Sequence, residues 1–150
     1  MTEVLREIGM IARALDSISN VEFKELALSK GQYLYLVRIY ENPGIIQEEL
    51  ANLLKVDKTT ASRALKKLMT AGLIMRQNSA QNQKNKHLFV NAKGKELYAI
   101  IKRENDHSEK MALTGLTASE KVQLEQLLTK VCQNVAQDWK FVKQGGKRKY

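Results

Sequence analysis

A mostly α-helical chain carrying one small β-hairpin is the fold the sequence predicts, and three observations predict it. One proline and eight glycines occur in 150 residues. Gly44, Gly72, Gly94 and Gly115 fall between segments whose apolar residues recur at helical spacing. A pair of short runs, Leu73 to Gln77 and His87 to Asn91, flanks a polar stretch as two strands flank a long turn.

The elements follow in order. Val4, Ile8, Ile11, Leu15 and Ile18 recur every three or four residues and form one stripe of an amphipathic first helix. Ser29-Lys30-Gly31-Gln32 has the spacing of a capping box, which predicts a second helix through Tyr33, Leu36, Val37 and Tyr40, stopped near Asn42-Pro43-Gly44. Ile46, Leu50, Leu53 and Leu54 mark a short third helix. Asp57 is a good N-cap for a fourth that Gly72 ends. After the hairpin, a fifth helix is expected from Lys95 to Ala112. Thr117-Ala118-Ser119-Glu120 is a second capping box, opening a sixth helix with Leu124, Leu128, Val131, Val135 and Val142 on a stripe and Trp139 beside it.

These elements divide the chain into an N-terminal helix and linker (1–28), a central lobe (29–93), C-terminal helices (94–142) and a loose basic tail (143–150). Amphipathic helices at both ends of a small chain need partners. A second copy is the expected one, meeting at Val4, Ile8, Ile11, Leu15, Leu128, Val131, Val135 and Trp139.

Composition narrows the class. No stretch approaches the ~18 uninterrupted apolar residues of a membrane span, and the charged start has no signal-peptide apolar run, so a cytoplasmic location is expected. The single cysteine, Cys132, cannot form an internal disulfide, and its place on the apolar side of the sixth helix predicts an inert buried thiol. His87 and His107 are isolated, and neither a metal nor another cofactor is expected. His87 reads as a wing-strand residue and His107 as a helix-surface one. No phosphate-binding glycine loop, paired carboxylates or nucleophile motif points to an enzyme.

Charge is confined. Between Lys55 and Lys95 stand ten basic side chains and one acid, Asp57, so this segment carries the whole formal net charge of +9. That is the electrostatic footprint expected for phosphate.

Inside it, Gln47 to Lys66 reads as helix, short turn and helix. Ala51 is small where the two helices cross, and Leu50, Leu54, Val56, Ala61, Ala64 and Leu65 fill the contact. The outward face of the second helix then holds Thr59, Ser62, Arg63 and Lys66, flanked by Thr60 and Lys67. Such a face fits a major groove, with Arg63 as the candidate for reading a guanine edge and Lys66 and Lys67 for holding phosphates. Lys58, Arg76, Lys84, Asn85 and Lys86 complete the candidate DNA-binding set. The fold is then a winged helix-turn-helix whose terminal helices form a dimerisation lobe.

At this point the sequence resembles the MarR family of bacterial regulators, and its SlyA-like branch in particular. The resemblance is carried by Leu50-Ala51, Val56 to Arg63, Lys67-Leu68, Ala71 to Ile74 and Ala92 to Glu96, and extends to Leu28 to Gln32 and Asn42 to Gly44. It implies a homodimer that binds double-stranded DNA, with a recognition helix from Asp57 to Ala71 and a wing at the minor groove or flanking backbone. Where the family's wing carries an Asp-x-Arg pair, this chain has Asn82 and Lys84. Lys55 occupies a turn position often held by glycine, so a positive φ would strain it by about 1 kcal/mol. The resemblance also raises a small aromatic effector, for which Arg13, Tyr33, Arg38 and Tyr40 are the candidate pocket. The alternative function is a winged-helix module for a protein or RNA partner, against which the basic face argues, because protein docking favours apolar anchors.

Overall fold

The computed structural model describes residues 3–26, 28, 31–78 and 86–150. Helix α1 (Val4–Glu22) and a 3-10 turn (Lys24–Leu26) lead to α2 (Gln32–Glu41), α3 (Gln47–Leu54) and α4 (Lys58–Thr70). Strands β1 (Ile74–Asn78) and β2 (Lys86–Val90) follow, then α5 (Ala92–Ala112) and α6 (Ala118–Lys143). The mostly helical chain with one hairpin is therefore what forms. Backbone contacts group it into two units, 1–108 and 109–150.

In the first unit Leu36 and Ile39 of α2, Leu50 of α3, Leu65 and Leu68 of α4, Leu73, Leu88 of β2 and Ile101 of α5 are fully buried. Each comes from the apolar periodicity of its own segment, so burial of these side chains drives the assembly of the unit. The strands pair antiparallel from Ile74 opposite Val90 to Asn78 opposite Lys86. The far edge of β2 is taken by the segment before α3: the Gly44 N–H donates to the Leu88 carbonyl at 2.9 Å, and the Leu88 N–H to the Ile45 carbonyl at 2.9 Å.

Two helix starts differ from expectation. Helix α2 opens at Gln32, with Gly31 as its N-cap at φ 78°, two residues beyond the expected cap position. The reason is tertiary. The Gly31 N–H donates to Asn20 Oδ1 of α1 at 3.3 Å, and the left-handed glycine turns the chain into the helix. Ser29 and Lys30 lie outside the described residues. Helix α5 starts at Ala92, earlier than Lys95, because Asn91 Oδ1 accepts the Gly94 N–H at 3.1 Å as an N-cap does. Asn91 also donates its N–H to the Leu73 carbonyl at 3.1 Å and its side-chain amide to the Gly72 carbonyl, tying α5 to the start of the hairpin.

Helix α1 packs on the rest of this unit with its less apolar side. Ser19 is its one buried residue, while Val4, Ile11, Leu15 and Ile18 remain exposed. The adjoining side of α1 meets α2: Asp16 Oδ1 accepts the Tyr33 hydroxyl at 3.2 Å, and the Phe23 and Tyr33 rings lie 5.1 Å apart. Burial raises the Tyr33 phenol above its ordinary range; a Ser19 hydrogen bond opposes the shift, and the Asp16 and Glu104 carboxylates add to it. Tyr35 is raised by burial and by the Asp57 carboxylate.

In the second unit Thr117 and Glu120 form the expected capping box of α6. None of the described residues of α6 is buried in the single chain, and Cys132 is exposed rather than enclosed. Val135 is exposed and Val131 only half-buried, so proximity to them in sequence does not shield it. The tail is not loose at its start. The Gly145 N–H donates to the Val142 carbonyl at 3.0 Å and the Gly146 N–H to the Phe141 carbonyl at 2.9 Å, the helix-ending pattern that a left-handed glycine permits. Arg148 then pairs with Asp138 at 2.9 Å.

Two measurements check this account. A Cβ at Gly94 would collide with the Leu73 carbonyl and the Val90 side chain, whereas one at Gly72 (φ 73°) meets nothing within 4 Å. In urea unfolding, Gly94→Ala should therefore lose about 2–3 kcal/mol by overpacking, and Gly72→Ala only about 1 kcal/mol through its backbone conformation. The raised tyrosines make a claim about pH. The folded chain holds those phenol protons more tightly than the unfolded one, so their contribution to stability is complete below the ordinary tyrosine pKa of about 10 and is lost as pH rises through the folded value. Tyr33→Phe should flatten that alkaline loss in denaturant titrations at increasing pH.

Candidate nucleic-acid interface

The site begins with a close helix crossing. Ala51 of α3 and Ala61 of α4 are buried, with Leu50 and Leu65 fully enclosed beside them, and side chains this small let the two helices approach. Helix α3 stops one turn later. Lys55 takes φ 57° and ψ 45°, and it is the one non-glycine residue at positive φ among the described residues, so the strain anticipated for that position is present. The conformation lets the Val56 N–H reach the Ala51 carbonyl at 3.0 Å and the Lys55 N–H the Asn52 carbonyl at 3.3 Å. The Lys55 ammonium donates to the Asn52 carbonyl, placing a cation at the negative end of α3.

Helix α4 starts immediately afterwards. The Asp57 carboxylate accepts the Thr60 N–H at 2.7 Å, which fixes the first turn as expected. Ala61, Ala64, Leu65 and Leu68 occupy the inner side, and at 3.6 residues per turn Thr59, Arg63 and Lys66 lie opposite them. Ser62 flanks that row on one side, Thr60 and Lys67 on the other, and Lys58 stands at the start; all seven are exposed. The anticipated face is thus assembled on one rigid helix. It presents hydroxyl donors and cations with no large apolar side chain among them.

The hairpin is clamped beside it. Arg76 of β1 is exposed and donates from Nη2 to Gln47 Oε1 at 3.1 Å, across to the first turn of α3. His87 Nδ1 lies 2.7 Å from the Gly44 carbonyl, and His87 bridges to Ile46. Lys86 is exposed opposite Asn78. Asn82, Lys84 and Asn85 lie outside the described residues. Lys93 donates to the Ala71 carbonyl at 3.2 Å and so serves the C-terminal end of α4. Sequence reading missed Gln47 and Asn91. An asparagine just before a helix is a recognisable capping signal, but nothing local marks Gln47 as the partner of a residue on a distant strand.

The residues considered for an effector are divided. Tyr33 and Tyr40 share one side of α2; the Tyr33 hydroxyl is engaged by Asp16, and the Tyr40 ring stacks on Tyr98 of α5 with centroids 3.7 Å apart. Arg38 turns to another side and pairs with Glu41 at 3.4 Å. The Arg13 guanidinium folds back over Gly9 of its own helix. Among the described residues, no helix is long and apolar enough to cross a membrane.

A helix-turn-helix with an antiparallel wing and a polar, cationic outer face on its second helix defines the class: a winged-helix regulator. Comparison with known proteins gives the family. The model of the MarR family matches residues 28–86. The HTH-type transcriptional regulator YybA of Bacillus subtilis (strain 168) is 58% identical over 150 residues, covering 100% of both chains. Among solved structures, the transcriptional regulator SlyA is 60% identical with a TM-score of 0.90, covering 94% of this chain and 99% of its own. A MarR family transcriptional regulator from Listeria monocytogenes, crystallised in complex with a 26mer DNA, is 57% identical with a TM-score of 0.97 over 100% of both chains. The protein belongs to the MarR family of transcription regulators, in its SlyA-like branch.

The turn and the cap make opposite claims about stability. Lys55→Gly should raise unfolding stability by about 1 kcal/mol by relieving the left-handed backbone, and Asp57→Ala should lower it by about 1 kcal/mol through loss of the cap. Urea midpoints of the two variants check both signs.

Proposed function

We propose that this regulator is a cytoplasmic, homodimeric, sequence-specific binder of duplex DNA that represses transcription from a palindromic operator. The observation that carries the reading is the outer face of α4, where Thr59, Arg63 and Lys66 stand opposite the buried row on an exposed helix. A helix presenting that face fits the major groove of B-DNA. The Listeria relative was crystallised with DNA, and this chain shares its fold over the full length.

In this reading Arg63 addresses a base edge bidentately, Thr59, Thr60 and Ser62 contact bases or phosphates, and Lys58, Lys66 and Lys67 hold phosphates. Arg76, Lys86, Lys84 and Asn85 extend the contact through the wing. The terminal helices supply the dimer. Val4, Ile11 and Leu15 are exposed on α1, and Leu128 and Val135 on α6, apolar side chains that a monomer would leave in water. Ile8, Val131 and Trp139 join them in the proposed interface. No chemical reaction is assigned to the chain. A small aromatic effector would meet Tyr33 and Tyr40 on α2, where Asp16 Oδ1 already accepts the Tyr33 hydroxyl.

Two experiments test this reading. Light scattering should report roughly twice 17.1 kDa, and Ile11→Glu or Val135→Glu should shift the protein towards monomer. A folded wild-type monomer at micromolar concentration would contradict the dimer and the expected half-site spacing of about one helical turn, ~10 bp. Arg63→Ala should weaken binding to a selected operator by about 1–3 kcal/mol and relax preference at one position, while Lys67→Ala should weaken operator and scrambled duplex alike and lower the salt slope by about one. Equal losses on both duplexes for Arg63→Ala would move base readout to another residue.

A further inference from the structure

Gln47 lies outside the basic face, yet it is the side chain that engages Arg76. Arg76 shares a face of the hairpin with Ile74 and stands opposite the fully buried Leu88, and its exposed side chain reaches the start of α3. There Nη2 donates to Gln47 Oε1 at 3.1 Å, while the guanidinium stays exposed. Both ends of this contact are anchored. Gln47 is the first residue of α3, and the strand beside β1 is fastened to the preceding segment by the two bonds between Leu88 and residues 44 and 45 and by the contact of His87 with the Gly44 carbonyl.

We infer that Gln47 is a positioning residue that aims Arg76 at the phosphate backbone beside the recognition helix. This rests on the DNA-binding reading above. A long exposed arginine loses rotamer freedom when it binds a phosphate, and a hydrogen bond that holds the guanidinium in place beforehand lowers that cost. The chemistry of the acceptor matters. A neutral amide oxygen engages one of the guanidinium donors and leaves the positive charge whole, whereas a carboxylate would hold the arginine more firmly and cancel its charge. Glu48 and Glu49 already follow in the same turn, so an acid at 47 would add a third negative charge beside the proposed phosphate contact.

Phosphate contacts are independent of sequence, so a fluorescein-labelled duplex of mixed sequence is a sufficient probe. Full-length wild type, Gln47→Ala, Gln47→Glu, Arg76→Ala and the Gln47→Ala/Arg76→Ala double variant are titrated over a salt series, with urea midpoints recorded for each. Gln47→Ala should weaken binding on the order of five-fold, the worth of one hydrogen bond, with the salt slope unchanged. It should cause no further loss once Arg76 is alanine. Gln47→Glu should also weaken binding and lower the salt slope by about one, as Arg76→Ala does, because a charge has been neutralised. Equal effects of Gln47→Ala in both backgrounds, or Gln47→Glu binding as tightly as wild type with an unchanged slope, would overturn the proposal. Wild type failing to bind any duplex is a different pattern, and it would overturn the DNA-binding reading together with this one.

Discussion

The close approach of α3 and α4 at Ala51 is the constraint on which the rest of the site depends. Ala51 and Ala61 are buried with almost no volume of their own, and a larger side chain at either would push α4 outward and rotate its outer face. The same crossing dictates the turn. For α4 to double back at that distance, the chain must reverse within Lys55, Val56 and Asp57, and the left-handed conformation of Lys55 achieves it while the Val56 N–H takes the Ala51 carbonyl. The strain at Lys55 is therefore a consequence of the geometry that exposes Thr59, Arg63 and Lys66. The Asp57 cap then sets where that row begins.

The hairpin inherits its position from the same helix. Helix α4 ends where the Leu73 N–H donates to the Leu68 carbonyl at 3.0 Å, Gly72 turns at positive φ, and Asn91 binds the backbone of Gly72 and Leu73 from the other side of the hairpin. Gly94 packs so tightly on Leu73 that no side chain fits there. The base of the hairpin, the end of α4 and the start of α5 are thus joined through the backbone of Gly72 and Leu73, and the Arg76–Gln47 bond closes the circuit to α3. A motion of one part relative to the others would break several of these contacts together.

Much of this was legible in the sequence where the determining signal was local. Periodicity placed α1 and α6, and the Asp57 and Thr117 caps marked two helix starts to the residue. The row on α4 followed from knowing which of its residues must be buried. Signals failed where a distant residue decided the outcome. The N-cap of α2 is Gly31, whose N–H is held by Asn20 of α1, a partner that no local capping pattern marks. Cys132 looked enclosed because its neighbours in sequence are apolar, but no described residue of α6 is fully buried in the single chain. The partnership of Gln47 with Arg76 spans from the first turn of a helix to a strand, and only the folded chain reveals it.

The central claim is that the outer face of α4 occupies a major groove, and dimethyl sulfate probing of a bound duplex tests it most directly. The reagent methylates guanine N7 in the major groove and adenine N3 in the minor groove, so it separates the two sides of the helix. Guanine N7 protection is expected in two patches about one helical turn, ~10 bp, apart, one for each copy of α4 in the proposed dimer. Tight binding that leaves every guanine N7 as reactive as in free duplex would contradict it.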